Sequence, residues 1–297
     1  MILSFLYVCN TSSDCISSIN INKFKEENRI YLKKHSTSDR IGPHGICAYK
    51  DKLLVVNNYS NSISILDKVN GIEESSYYIG VHCNDVIVFK DTAYVICGDI
   101  NSLIVFDLIK KEVISQIPCG NLPHSICINR EKKLLLISNI QDDSITLINC
   151  ANNKSIKNIR VGAYPTKAVF TVDGRYILVC ESNIGSDYKG SIAVMSLKNY
   201  KIITRIAAGN SPIDMWCDEN SCFVSNFGDG SISLIDINYY REDKNIIVGG
   251  MPRAITKYGK NVYVGDSYNN LLIKVNIISK QKKHIPIGGE PTGMILV

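Results

Sequence analysis

The feature that most constrains the fold of this chain is a module of about 40 residues that recurs from end to end. Its clearest copy spans residues 209–249 and reads GNSPIDMWCDENSCFVSNFGDGSISLIDINYYREDKNIIVG. Gly, Pro, Asn or Asp bounds each short β-rich segment within this copy, and no segment is long enough or spaced for a helix. The pattern predicts four strands, at 213–217, 221–225, 231–235 and 245–248. The module is therefore a four-stranded antiparallel meander.

The start of each full copy carries a marker residue, which is Pro in every case except Cys83. The markers stand at 43, 83, 123, 165, 212, 252 and 291, so the spacings are 40, 40, 42, 47, 40 and 39 residues. A period of this length with four strands per unit is the signature of a β-propeller blade. We predict an all-β, seven-bladed β-propeller that forms one domain over 1–297. Its repeats fall near 1–42, 43–82, 83–122, 123–164, 165–211, 212–251 and 252–290, with a closing strand at 291–297.

The two ends of the chain each supply part of one blade. The N-terminal repeat has only three predicted strands, 5–8, 16–19 and 29–32, and the chain ends on a lone first strand at 292–297. We expect the C-terminal strand to complete the N-terminal blade, because this pairing removes the open edges at which sheets aggregate.

The composition of the chain indicates which classes of partner and which cellular compartment to expect. The formal charge of +5 comes from 33 basic and 28 acidic residues that are scattered rather than clustered, so we expect no nucleic-acid partner. No run of about 18 apolar residues and no N-terminal signal pattern are present, which predicts no membrane span. None of the eleven cysteines forms a C-x-x-C pair. We expect reduced core cysteines in a cytoplasmic monomer, without disulfides, metal or cofactor.

The ends of several second strands share a short motif. It reads Tyr7-Val8-Cys9-Asn10, Phe223-Val224-Ser225-Asn226 and Tyr263-Val264-Gly265-Asp266, and each copy continues through a strand ending in Asn or Asp to G-x-x-P. Over the whole chain this resembles the YVTN-repeat β-propellers. The resemblance implies the seven-bladed architecture. That family includes surface-layer and DNA-associated proteins, and similar propellers serve as lactonases and lyases. The repeated marks of WD40 and kelch blades are missing from this sequence.

In a propeller, the loops that enter each first strand and those that leave each second strand open on one face beside the central channel. Equivalent positions of the repeat therefore form rings there. The ring after the marker contains His44, Asn84, His124, Thr166, Ile213, Arg253 and Thr292, and the next contains Gly45, Asp85, Ser125, Lys167, Asp214, Ala254 and Gly293. The ring at the end of the second strands contains Asn10, Asn57, Cys97, Asn139, Glu181, Asn226 and Asp266.

The charged and imidazole side chains of these rings are the candidate ligand-binding residues: His44, Asp85, His124, Lys167, Glu181, Asp214 and Arg253. Each of these residues could instead have a purely structural role. The Asn/Asp ring serves turns through side-chain hydrogen bonds, with Glu181 and Cys97 as informative departures. Lys167 either pairs with Asp214 or acts in acid–base chemistry. A divalent metal is usually bound by three or four ligands. We expect the blades of His44 and His124 to lie too far apart for the two histidines to bind one metal ion, which favours hydrogen bonds from each to a neighbouring loop.

Two function classes follow from these rings. The first is a scaffold that binds a small molecule or a protein at the channel mouth, over an apolar floor of Val86, Ile126, Ala168 and Ile255. The alternative is an enzyme, a lactone hydrolase or lyase, in which Glu181, Lys167, Asp214 or a histidine acts on a ligand in the channel. Because no nucleophile–base motif is recognisable, we favour the scaffold. Two long loops, 33–42 and 182–190, either cover the mouth or tolerate insertion.

Overall fold

The computed structural model describes residues 4–33, 39–186 and 188–297. These residues form seven four-stranded antiparallel sheets; six are meanders in chain order, and in the remaining one the last strand of the chain precedes the first three. The seven sheets are the blades of a ring, which confirms the predicted all-β, seven-bladed propeller. We number the blades 1 to 7 from the N-terminus.

Blade 1 contains β1 (Phe5–Asn10), β2 (Cys15–Asn20) and β3 (Lys25–Tyr31), with a 3-10 turn at Thr11–Ser13. Blades 2 to 4 contain β4 (Pro43–Tyr49), β5 (Lys52–Asn57), β6 (Ser62–Asp67), β7 (Ile72–Tyr78), β8 (Cys83–Phe89), β9 (Thr92–Cys97), β10 (Ser102–Asp107), β11 (Glu112–Pro118), β12 (Pro123–Asn129), β13 (Leu134–Asn139), β14 (Ser144–Asn149) and β15 (Lys154–Arg160). Blades 5 to 7 contain β16 (Pro165–Phe170), β17 (Tyr176–Glu181), β18 (Ser191–Ser196), β19 (Ile202–Ala207), β20 (Pro212–Cys217), β21 (Ser221–Asn226), β22 (Ser231–Asp236), β23 (Arg241–Ile247), β24 (Pro252–Tyr258), β25 (Asn261–Asp266), β26 (Leu271–Asn276) and β27 (Lys282–Pro286). The last strand, β28 (Pro291–Leu296), returns to blade 1.

The hydrophobic core is divided into seven clusters, one at each interface between neighbouring blades. Strand β5 shows why its sequence is a continuous apolar run. Successive side chains of a strand point to opposite faces. Accordingly, Leu53 and Val55 pack in the cluster with blade 1, whereas Leu54 and Val56 pack in the cluster with blade 3. All four side chains are fully buried.

The ring is closed by pairing between β28 and β1. Ile295 lies opposite Tyr7 and Met294 opposite Val8. Beyond the strands, Phe5 and Val297 exchange two backbone hydrogen bonds of 3.0 and 2.9 Å. The predicted composite blade is therefore present. The outer edges of the blades tolerate proline, since Pro118 and Pro286 lie in the fourth strands β11 and β27.

A left-handed residue before the first strand turns the chain into the channel in most blades. Backbone φ angles of 52–59° occur at His82, Leu122, Tyr164, Ser211 and Glu290. This repeated turn sets the direction in which each first strand enters the ring, and so aims the side chains that follow the marker.

All eleven cysteines are free. In the described part of the chain no helix has the length and hydrophobicity needed to cross a membrane. The cytoplasmic location stays a prediction from the sequence.

Deleting Pro291–Val297 should leave β1 without its inner neighbour and expose the apolar contacts of blade 1 with its neighbours. We expect insoluble or strongly destabilised protein, measured by circular dichroism melting. The control is Val297→Ser, at a residue whose side chain is 38% exposed; a surface change of this kind alters stability by about 0.5 kcal/mol or less. A deletion variant that melts like the full chain would contradict the closure.

Candidate functional site

Six of the seven candidate residues line one cavity at the centre of the ring. The cavity has a volume of about 210 Å³. It shares lining residues with a second cavity. The loops that precede the first strands and those that follow the second strands border this second cavity, so it lies on the predicted face. We call the two together the channel-mouth cavity. Its candidate residues are His44, Asp85, His124, Lys167, Asp214 and Arg253.

The two histidines lie close together, although they belong to blades 2 and 4. Their ring centroids are 6.3 Å apart and the rings meet edge to face. The expectation that their blades hold them far apart was wrong, because the first strands converge tightly at the channel. Even so, no three His, Cys, Asp or Glu side chains within the described ranges are grouped to hold a metal ion.

Each imidazole is oriented by the backbone of the next blade. His44 Nδ1 lies 2.7 Å from the carbonyl oxygen of Asn84, and His124 Nδ1 lies 2.8 Å from that of Thr166. A carbonyl oxygen only accepts, so Nδ1 carries the proton in both rings. Nε2 of each neutral ring is then an acceptor, and neither has a hydrogen-bond partner among the residues that the structure describes. These hydrogen bonds agree with the structural alternative for the histidines.

Both imidazoles are held in their neutral form. Burial, reinforced by the charge of Arg253, lowers the pKa of His44 to about 3. Burial lowers the pKa of His124 to about 4; its hydrogen bond to Thr166 opposes the shift, and the charges of Arg253 and Lys167 add to it. At neutral pH each of these two cavity-lining rings therefore keeps an acceptor lone pair on Nε2.

Lys167 lies between two aspartates that also line the cavity. Its Nζ is 3.4 Å from Asp214 Oδ1 and 3.7 Å from Asp85 Oδ2. Burial works against the lysine charge, but the two carboxylates outweigh it and raise the pKa of Lys167. The ion-pair alternative therefore describes Lys167, and this lysine keeps its proton rather than serving as a base.

The aspartates also tie neighbouring blades together. Asp85 accepts from the backbone N–H of Ile126 at 3.1 Å, and Asp214 accepts from that of Ile255 at 3.2 Å. Ser125, at the equivalent place in blade 4, accepts from the N–H of Ala168 at 3.3 Å. These polar residues thus satisfy backbone donors that would otherwise be buried without a partner.

Arg253 is the cation of the cavity with the most hydrogen-bonding capacity left. Its Nη1 lies 3.4 Å from Glu290 Oε1, and this is its one side-chain partner within the described ranges. A guanidinium carries five N–H donors. Glu290 was not foreseen from the sequence. The signal that could have found it is its place directly before the marker Pro291, where His82 and Leu122 of other blades also border the cavity.

Glu181 is not brought to the cavity. Its carboxylate, 4% exposed, accepts from Arg205 Nε at 2.7 Å, Ser191 Oγ at 2.8 Å and the N–H of Gly162 at 2.8 Å. It lies within blade 5 and binds the third and fourth strands of that blade. Glu181 stands where most blades have Asn, and Arg205 thus balances the negative charge that this glutamate introduces.

Other members of the ring at the end of the second strands also make hydrogen bonds within their blades. Asn57, Asn139 and Asn226 each donate to two hydroxyls at the start of the third strand, at 2.8–2.9 Å. The Oδ1 atom of each of the three is buried and has no hydrogen-bond partner among the described residues. Asp266 accepts from the backbone of its turn, as an Asx residue does. Cys97 lies beside Cys83, with 3.5 Å between the sulfurs. The members of this ring outside blade 1 therefore support the structural alternative.

The expected floor and loops are placed only in part. All four expected floor residues pack between blades, and of these Val86 and Ile126 also line the cavity. Residues 34–38 and 187 of the two long loops lie outside the described residues. The described residues of these loops do not line the cavity.

No family model and no curated protein matches the sequence. Solved structures share the fold. A functionally unknown protein from Desulfotomaculum acetoxidans superposes with a TM-score of 0.80 at 15% identity, over 98% of each chain. Virginiamycin B lyase from Staphylococcus aureus gives 0.72 at 14% identity, over 85% of this chain and 88% of that one. Hydrazine synthase from Kuenenia stuttgartiensis gives 0.71 at 15%, over 89% and 92%. At these identities the similarity shows the propeller fold alone.

Replacing Glu181 by Ala should lower the free energy of unfolding by about 1–3 kcal/mol, because buried donors lose their acceptor. Urea unfolding followed by fluorescence measures this. The control is Asp243→Ala, which removes an exposed carboxylate from Arg241, 66% exposed; such pairs contribute at most about 1 kcal/mol. Equal effects of the two variants would contradict the structural role of Glu181.

Lowering the pH from about 6.5 to about 4 should destabilise the protein through the two histidines. Their folded pKa values lie below the ordinary value of 6.5. In this window the unfolded chain binds more protons than the folded one, so stability falls as the pH falls. The double variant His44→Asn, His124→Asn keeps an amide donor near each carbonyl and should show a flatter melting temperature across this range.

Differential scanning calorimetry at steps of pH measures the slope. The control is His284→Asn, at an exposed histidine of β27; it should leave the slope of the wild type unchanged. The buried-histidine explanation fails if the double variant and the wild type lose stability equally.

Proposed function

We propose that the channel-mouth cavity reversibly binds a small anionic molecule, a carboxylate that also carries hydroxyl or N–H groups. The observation that carries this is the fixed orientation of the two imidazoles. Because Nδ1 of His44 and of His124 is engaged by the backbone, Nε2 is left as an acceptor in the cavity. Two imidazole acceptors among the residues that line one concave pocket favour a ligand with hydrogen-bond donors.

Arg253 is the proposed anion contact. Lys167 is already neutralised by two carboxylates, whereas Arg253 makes one long contact, of 3.4 Å, with Glu290. A guanidinium can bind a carboxylate through two parallel hydrogen bonds. The ligand carboxylate would therefore lie against Arg253, with its donor groups toward the imidazoles.

The proposal is binding rather than turnover. A histidine with a pKa of about 3 or 4 is a poor general base at neutral pH. Lys167 keeps its proton, and Glu181, a candidate for lactone or lyase chemistry, is engaged within blade 5. Nothing in the cavity favours the enzymatic alternative over a binding scaffold.

We also propose that the chain is a YVTN-type propeller that works in a reducing cytoplasm. The repeated motif at the second strands supports the first part, and the eleven free cysteines support the second. Fractionation of cells that produce the full chain would test the location.

The experiment is a titration with matched probes, followed by the ¹H and ¹⁵N signals of the imidazoles. Malate carries both a carboxylate and a hydroxyl group, succinate lacks the hydroxyl, and malamide lacks the charge. Lactate, tartrate and citrate are further hydroxycarboxylates to be tested. We expect hydroxycarboxylates to shift the signals of His44 and His124 and to bind best. Arg253→Gln should weaken binding about tenfold or more, since a hydrogen bond to a charged group contributes about 1.5–3 kcal/mol.

Arg241→Gln, which removes an exposed arginine of β23, is the matched control and should bind like the wild type. The probe is recovered and analysed after each titration. Equal binding by the Arg253 variant, or shifts confined to residues outside the cavity, would refute the site. Conversion of a lactone probe by the wild type would refute binding without turnover.

A further inference from the structure

Two pairs of cysteines face each other across neighbouring strands. Cys217 of β20 is paired with Cys222 of β21, and Cys83 of β8 with Cys97 of β9. The sulfur atoms of the first pair are 2.8 Å apart, and those of the second are 3.5 Å apart. All four are free thiols. The two pairs share a cross-strand arrangement and differ in surroundings.

The register of the β20–β21 hairpin brings Cys217 and Cys222 especially close. The N–H of Asp218 donates to the carbonyl oxygen of Ser221 at 2.9 Å, and the N–H of Ser221 donates to Asp218 Oδ1 at 2.8 Å. The one backbone bond places these two residues at a hydrogen-bonded position of the ladder. In an antiparallel ladder the next pair is then a non-hydrogen-bonded one, with Cα atoms about 4.5 Å apart. This separation lies within the range of about 4.4–6.8 Å that a disulfide bridges. A bond between the two sulfurs therefore demands little movement of the backbone.

The two pairs differ in access from solvent. Cys83 and Cys97 are fully buried, as is Cys222, but Cys217 is partly exposed. Cys217 lies three residues after the cavity-lining Asp214 along β20, or about 10 Å from it. It sits beside the turn Asp218–Asn220, on the face opposite the channel mouth. Solvent thus reaches part of one residue of the Cys217–Cys222 pair and neither residue of the Cys83–Cys97 pair.

We propose that Cys217 and Cys222 form a thiol–disulfide exchange site that reacts with low-molecular-weight disulfides. The thiolate of Cys217 attacks one sulfur of the external disulfide; the external S–S bond breaks and one thiolate leaves. The Cys222 thiol then loses its proton and attacks Cys217 Sγ, releasing the second external thiol. One protein disulfide and two external thiols replace one external disulfide and two protein thiols, so electrons and protons balance.

The roles of the two sulfurs follow from their surroundings. Burial raises the pKa of Cys222 well above its ordinary value, so this thiol stays protonated and does not attack external disulfides itself. Its position beside Cys217 makes it the resolving thiol once the mixed disulfide has formed. The accessible Cys217 is the attacking thiol. The site does not depend on the proposed ligand cavity and stands or falls separately from it.

The test uses the full chain, equilibrated with glutathione buffers of increasing disulfide fraction, then alkylated and mapped by mass spectrometry. Alkylation is carried out in denaturant at low pH, so that buried thiols react and disulfides do not exchange. We expect the Cys217–Cys222 disulfide to appear, with the other nine cysteines alkylated. Cys222→Ala should instead hold one glutathione on Cys217, and Cys217→Ala should form neither product. Cys97→Ala, which removes the buried pair, is the control and should oxidise at Cys217–Cys222 like the wild type.

The cysteine modifications mapped in the wild-type protein test the proposal even if a variant fails to fold. Alkylated Cys217 and Cys222 in the most oxidising buffer would overturn it. So would a disulfide at Cys83–Cys97 that forms at a lower disulfide fraction. If Cys222→Ala folds but carries no glutathione on Cys217, the assignment of Cys217 as the attacking thiol is overturned.

Discussion

The pairing of β28 with β1 is the contact on which the rest of the structure depends. It joins the two ends of the chain in blade 1, and it makes the seven sheets a closed ring without a seam. Each blade exposes two apolar faces, so no blade can be stable alone. Closure gives every face a partner. It also fixes how closely the seven first strands converge, and that distance determines which side chains meet in the channel.

Around the channel, polar side chains connect each blade to the next. Asp85 and Asp214 accept backbone N–H groups of the following blades, and His44 and His124 donate to backbone carbonyls. First strands that are crowded against one another cannot pair as a sheet, yet their buried N–H and C=O groups need partners. The same residues that suggest a binding site therefore also stabilise the ring. The hydrogen-bonding groups that remain for a ligand are Nε2 of each imidazole and the guanidinium of Arg253.

Departures from the repeat have different meanings at different positions. Glu181 replaces the common Asn of the third ring, and Arg205 of the same blade supplies the charge that it needs. Lys167 departs from its ring in the same way and is balanced by carboxylates from blades 3 and 6. A substitution compensated within the protein is structural. One that leaves a donor or acceptor unsatisfied over a cavity, as at Arg253, is a better sign of a ligand.

The sequence by itself determined the architecture. A module of about 40 residues with four strands, seven markers and three strands at the N-terminus admits one closed ring, and even the composite blade followed from counting. It also determined which positions surround the channel, because equivalent residues of a repeat occupy equivalent places. Six of the seven candidate residues do line the cavity.

The tertiary structure alone decided the distances and the partners. Repeat position does not state how wide the ring is, so the approach of His44 to His124 was missed. Repeat position also does not determine the direction of a side chain once its backbone is placed. Glu181 contacts Arg205, 24 residues away in the sequence, because β17 and β19 both pair with β18. Local patterns fix which segments form strands, whereas charge pairing and burial arise only when blades far apart in the chain are brought together around one axis.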